Sequence, residues 1–351
     1  MGKHNALPTA PLAPEPAPQG HGITRTQVRQ VALAMVTFAL LVLAMIASYA
    51  GAFAKPTLHH LGVAVAGPTQ LVDAVDDRAE LDITRVDDDA AARTAVLERR
   101  TDAAFVVQPS GRLDIYAAGG GGHSVAAAAE TVGRAVAGEA GLTPVVTDIA
   151  PTSAGNPSGT VEFYAIIFVS LGASIGAAAF GFLVGAVRRP WTLALRTVTL
   201  VTYAALLAGV VTLYVDAGID ALSAHPWQVF GALWLYAMAV GGAVTGVSAA
   251  FGTVAALAVT AFLVIVGNAA AAGPVGLPLL SGFYTVFNGI VPQGSGVALL
   301  RSIEYFDGHG ALTPVVTLAI WAATGAALAA LATTVRMPAA RRLWQRVTVY
   351  R

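Results

Sequence analysis

"VALAMVTFALLVLAMIASYAGAF", residues 31–53, runs for 23 residues without one charged side chain, and that length decides the class of fold. A bilayer core takes roughly 20 apolar residues to cross as a helix, so the segment reads as a membrane span. Arg25 and Arg29 precede it. Ala52-Phe53-Ala54 resembles the cleavage site of a signal peptide, but the apolar run is longer than such leaders carry. An uncleaved helix over 25–54 is therefore expected, after a Pro- and Ala-rich disordered tail at 1–24.

The whole composition agrees with this reading. Hydrophobic residues make up 56% of the chain and charged residues 11%, against about a quarter charged in soluble domains. The absence of cysteine excludes disulfide frameworks, thiolate metal sites and cysteine nucleophiles. Neither Lys3 nor Lys55 sits in a phosphate-cradling G-x-x-x-x-G-K-[ST] loop. If nucleotide hydrolysis drives the function, another polypeptide supplies it.

Residues 55–160 hold most of the acidic groups and read as a water-soluble α/β domain. "LGVAVAG" (61–67), "LDITRV" (81–86), "DAAFVV" (102–107) and "RLDIYAA" (112–118) read as strands. "PTQLVDAVDDRAE" and "DDAAARTAVLERR" between them read as helices. "GGGGHS" (119–124) reads as a flexible turn before a helix over 125–138, and "PTSAGNPSG" (151–159) as a linker. Five further apolar stretches follow, at 162–187, 195–215, 228–249, 251–272 and 314–335, each uncharged in its central part. Six spans place both termini on one side. The amino-terminal tail, the 188–196 turn and the basic tail at 337–351 together carry the positive excess, with Glu15 their one acid. Basic residues in short loops mark the cytoplasmic face, so both termini are expected there and the α/β domain outside the plasma membrane.

One stretch does not fit the span pattern. "LPLLSGFYTVFNGIVPQGSGVALLRSIEYFDGHG" (277–310) begins apolar, but Pro278 and Pro292 bracket too short a segment to cross. It is expected to dip into the outer leaflet over 277–292, turn at Gln293–Gly296, and continue as a surface helix over 297–306. Leu299, Leu300, Ile303 and Phe306 would then face lipid, with Arg301 and Glu304 paired in water. Tyr284, Asn288, Pro292, Arg301 and Glu304 would form an outer lid over 277–307.

Chemistry-bearing clusters are few. His59-His60 diverge if they start a strand, Asp87-Asp88-Asp89 suit a helix start, Asp216 and Asp220 suit a solvated loop, and Ser124 lacks a nucleophile elbow. No catalytic residue, metal ligand, cofactor or nucleic-acid site is expected. At the span centres only Asn268 and scattered Ser and Thr are polar. Gly172-x-x-x-Gly176, Gly181-x-x-x-Gly185 and Gly242-x-x-x-Gly246 allow close helix approach, either within one subunit or across a homodimer. "VRRPWTLALRT" (187–197), with Arg188, Arg189, Trp191 and Arg196, is a topology anchor or a contact for a cytoplasmic partner.

One span, an outer α/β domain, then five spans with a long outer loop before the last: this layout over residues 25–336 resembles the type-2 permeases of ATP-binding cassette exporters, in the branch of phage-infection-protein-like membrane proteins. "LGVAVAG", "LERRTDAAFVVQPSGRLDIYAAG" and "IVPQGSGVALLRSIEYFDG" carry the resemblance. It implies a homodimeric permease with no enzymatic activity of its own, driven by a cytoplasmic ATP-binding subunit. The cargo it implies is a lipid, polyketide, drug or cell-surface polymer moved outward. The alternative is a non-transporting envelope protein whose outer domain binds a ligand, a protein or a phage. The sequence departs from better-characterised permeases in its near-absence of lysine and its short uncharged turn at 248–252.

Overall fold

The computed structural model describes residues 24–184 and 190–336, with side chains over 24–179 and 191–335. Most of it is helical, and six helices are long and apolar enough to cross a membrane: Arg25–Phe53, Val161–Ala179, Trp191–Gly218, Pro226–Phe251, Thr253–Ala270 and Leu312–Val335. The chain is thus a multi-pass membrane protein by helix length and composition. We number these helices α1 (Arg25–Phe53), α5 (Val161–Val184), α6 (Pro190–Leu213), α7 (Pro226–Phe251), α8 (Thr253–Phe262) and α12 (Leu312–Arg336). After α8 comes a π-helical turn, Leu263–Gly267, and then a short α9, Asn268–Ala270.

Between α1 and α5 the chain builds a five-stranded sheet from β1 (Leu61–Ala66), β2 (Leu81–Arg85), β3 (Ala103–Gln108), β4 (Arg112–Ala117) and β5 (Thr143–Asp148), in the order β2-β1-β3-β4-β5. β1 pairs in parallel with β2 and β3, β3 and β4 are antiparallel, and β4 and β5 are parallel. The central strands are apolar on both faces because helices cover both. Val72 and Val75 of α2 (Thr69–Asp76) and Val136 of α4 (His123–Glu139) pack on Val63, Phe105 and Ile115. On the other face Ala92, Ala95 and Val96 of α3 (Asp89–Leu97) cover Ala64, Ala104 and Tyr116. Asp88 caps α3 by accepting from the Ala91 N–H at 2.8 Å. The strand absent from the sequence reading is β5, an edge strand whose residues are mostly exposed.

In the bundle α7 is the central helix, buried along most of its length. Glycines set its neighbours' distances. A Cβ at Gly246 would strike the Gly325 backbone of α12, and one at Gly325 would strike the Gly242 backbone. Gly172 faces Leu207 of α6 and Gly176 faces Tyr203, whose hydroxyl donates to the Gly172 carbonyl at 3.0 Å. Gly172, Gly176, Gly242 and Gly246 thus serve helix packing inside one chain. Gly181 lies in α5 where side chains are not described, and Gly185 lies outside the described residues. Trp191 and Trp227 are exposed at the first turns of the successive helices α6 and α7, where interfacial anchors belong.

Candidate functional site

The segment after α9 explains the half-length apolar stretch. It forms a 3-10 turn at Leu277–Leu279, α10 (Gly282–Asn288) and α11 (Pro292–Tyr305). Pro292 suits the first position of α11 because it has no N–H to leave unpaired. Residues 293–296 therefore form the first turn of a helix, and the expected loop there is replaced by a helical start buried among the spans. Gly296 packs against Ile166 of α5 and Tyr236 of α7. Tyr236 lies roughly 15 Å along α7 by helical rise.

The surface-helix expectation is overturned at every polar position. Leu299, Leu300, Ile303 and Phe306 are buried in protein. Arg301 is 5% exposed and does not pair with Glu304. Its guanidinium donates to the carbonyls of Gly121 at 3.0 Å, Gly159 at 3.2 Å and Gly273 at 2.8 Å. These carbonyls belong to the turn before α4, the linker before α5 and the turn after α9. One side chain thereby ties the sheet domain, the linker and the end of a span together. Helical spacing put Arg301 on a polar face, and that face meets backbone carbonyls instead of water. Burial pulls its pKa down, while Glu162 and Tyr305 act the other way.

Around Arg301 the sequence reading missed a second layer. Glu162, at the head of α5, is fully buried and accepts from Asn156 at 2.8 Å and from the Tyr305 hydroxyl at 2.6 Å. Burial first, and then Glu162, raise the Tyr305 pKa. Asn156 also caps α5 through the N–H groups of Thr160 and Val161, so "PTSAGNPSG" is a built joint. Gly120 leaves room for the Tyr305 ring, and Gly119 and Gly120 are buried, so the glycine run is a packed 3-10 turn. Arg99, just past α3, donates to Ala298 O at 3.0 Å and Ser302 Oγ at 2.7 Å and lies over the Phe306 ring. Its φ of +59° is one that glycine usually supplies. Burial, followed by repulsion from Arg301, pulls its pKa down to about 10. The signal in the sequence was charge inside a stretch otherwise apolar, at Arg301 and at Glu162.

No family model, curated protein or solved structure matches this chain.

Other expected lid residues serve as internal ties. Asn288 Nδ2 donates to Ala270 O at 2.7 Å, and the Tyr284 hydroxyl lies 3.1 Å from Ser48 Oγ, which itself donates to Ile265 O at 2.8 Å. With Arg301 on Gly273, these side chains donate to carbonyls of the π-turn, the end of α9 and the turn that follows it. Arg196, expected to face a partner, is 5% exposed and lines a pocket of about 170 Å³ with Gly176, Leu200, Tyr203 and Thr245. It therefore does not present itself to a partner. Trp191 is 74% exposed, and Arg188 and Arg189 lie outside the described residues. Among the described residues no group of three or more His, Asp and Glu converges on a metal-sized site.

Glu304 is half-buried and accepts from the Ser223 and Ala224 N–H groups at 3.0 and 3.1 Å, joining α11 to the loop before α7. Burial raises its pKa and these two bonds oppose that. Raised acids contribute stability below their unfolded value, about 4.3 for Glu, and lose it as pH rises through the folded value. Glu304→Gln keeps an acceptor without the charge. Its melting temperature should equal or exceed wild type at pH 7 and lack this pH-dependent loss between pH 4 and 7. Glu304→Ala should melt earlier at both, by about 1–3 kcal/mol of stability for the two stranded donors. Equal pH profiles for wild type and the Gln variant would contradict the assignment.

Proposed function

We propose that this protein is the membrane-spanning permease subunit of an exporter driven by a separate cytoplasmic ATP-binding subunit, with both termini in the cytoplasm of the plasma membrane and the sheet domain outside. The observation that supports it most is α11. A single helix runs from among the apolar spans to the sheet domain, so displacement of one bears on the other. Six spans, a domain inserted after the first and the resemblance to type-2 permeases add to this. So does the sparseness of ionisable groups among the spans, which leaves an external energy source as the natural driver. A second copy of the chain completes the pathway in this reading.

The rival is a non-transporting envelope protein whose outer domain binds a ligand. One observation favours it: a cleft of about 370 Å³ between α2 and α4, floored by Leu71, Val75, Val107, Val136 and Leu142. Arg78 and Glu139 form an ion pair at 2.6 Å at its rim.

A photocrosslinker at Trp191 decides between them. In cells, capture of an ATP-binding protein above the level at Thr84, in the sheet domain, is expected. Single cysteines, in a chain with no native ones, test the orientation. Thr84→Cys should react with a membrane-impermeant thiol reagent on whole cells and Trp191→Cys should not. Capture of no ATP-binding protein would sink the permease reading, and the reverse labelling would sink the orientation.

A further inference from the structure

Where α11 begins, buried hydrogen-bonding groups outnumber their partners. Ser170 on α5, Tyr236 on α7, Asn268 on α9 and Gln293 on α11 are each fully buried. Gln293 Nε2 donates to Leu263 O at 3.0 Å and lies 3.4 Å from Ser170 Oγ. The Gln293 side chain lies so close to Gly267 that a Cβ there would strike it, so its amide faces the π-turn that leads into Asn268. Tyr49 neighbours the Asn268 amide and Ser170 neighbours the Tyr236 hydroxyl. Yet among the described residues Gln293 Oε1, both polar atoms of Asn268 and the Tyr236 hydroxyl have no hydrogen-bond partner in good geometry. Among the described residues neither the Gln293 nor the Gly294 N–H has a backbone acceptor, as the head of a helix dictates.

Buried groups of this kind are almost always satisfied, and leucine at Asn268 or Gln293 would remove the need. The character of the groups then selects the ligand. None of them carries a formal charge, and the helix head is the positive end of a dipole, which disfavours a cation. An anion would meet the two buried amide oxygens, which can only accept. Asn268 leaves a donor, Nδ2, and an acceptor, Oδ1, without partners, and Gln293, packed against the neighbouring Gly267, leaves the acceptor Oε1. A hydroxyl donates one bond and accepts two, so it matches this mixed set.

We propose that the cluster at the head of α11 binds a neutral hydroxyl group, supplied by the headgroup of an uncharged amphiphile or by water. The amphiphile source rests on the permease reading and narrows its substrate class to neutral, hydroxylated amphiphiles.

The test uses the full chain in lipid nanodiscs and two probes. The first is a monoacylglycerol carrying a diazirine, with adducts located by peptide mass spectrometry. Labelling of peptides containing residues 263–270 or 292–300 is expected. An excess of plain monoacylglycerol should suppress it, and an equal excess of a fatty acid or an alkyl trimethylammonium should not. Asn268→Leu or Gln293→Leu should lower it by about tenfold, the factor that goes with one lost hydrogen bond. Asn268→Ser, which keeps a short polar group, is read instead if the leucine variant fails to purify as a single species. The second probe is hydroxyl-radical footprinting, in which bound water exposes fully buried Tyr236 to oxidation. Labelling at these peptides assigns the hydroxyl to a headgroup, and Tyr236 oxidation without labelling assigns it to water. The proposal is overturned if neither occurs, if charged competitors act as well as the neutral one, or if the variants leave both signals unchanged. Failure of crosslinking at Trp191 would remove transport while leaving these binding results to stand by themselves.

Discussion

Arg301→Met should destabilise the protein by about 3–5 kcal/mol, the range for removing one partner from a buried charged network. Three carbonyls, of Gly121, Gly159 and Gly273, lose their donor at once. The buried Glu162 carboxylate loses a positive charge that attracts it. Methionine fills much of the volume and packs flexibly, so the loss measures the hydrogen bonds and the charge rather than a cavity. Arg301→Lys keeps the charge but has a single ammonium in place of the planar fork, which cannot reproduce three divergent contacts, so it should recover less than half. Thermal unfolding in mild detergent, followed by tryptophan fluorescence, checks both. At about 2–4 °C per kcal/mol for a chain of this order, a Met variant melting within about 2 °C of wild type would refute the tie.

That prediction runs against the sequence reading, and the contrast shows what a single sequence carries. Spans and most strands were legible because they depend on local composition. Residues 31–53 had no charge to interrupt them, and "LGVAVAG" and "DAAFVV" carry the β-branched content of covered strands. β5 escaped because an edge strand needs few apolar residues, and "TPVVTD" offers only Val145 and Val146, set between Pro144 and Thr147. The face of α11 was misassigned for a related reason. Periodicity shows that a helix has a polar side, but not whether water or backbone carbonyls lie against it. The acceptors of Arg301 come from positions 121, 159 and 273, distant in sequence and all glycines with no side chain to announce them. Asn156, Glu162 and Tyr305 meet only after the linker folds back, which no local pattern records.

The same limit applied to the small-residue motifs, whose spacing allowed either a subunit interface or internal packing. The α7–α12 crossing answers it for Gly242 and Gly246, and a pair of substitutions on α7 measures the answer. Replacing either Gly231 or Gly246 with alanine brings the same helix-propensity gain, about 1 kcal/mol. Around Gly231 nothing lies within 4 Å of the new methyl, so Gly231→Ala should be stabilising by up to that amount. At Gly246 the methyl meets the Gly325 backbone, which has no rotamer to yield, so α7 and α12 must separate. Apolar solvent gives back nothing for the lost contact, because helix association among lipids depends on close packing. A methyl against backbone belongs at or above the top of the 1–3 kcal/mol cost of overpacking. Gly246→Ala should therefore be destabilising by about 2 kcal/mol or more after the propensity gain is subtracted. Gly325→Ala should behave alike, and the double variant should lose less than the sum, because the first methyl has already opened the crossing. Unfolding curves for wild type and the four variants, compared in one detergent, give these values. If Gly246→Ala proves as stable as Gly231→Ala, the two helices do not cross at Gly325. Strict additivity in the double variant would mean that the two methyls act at separate contacts.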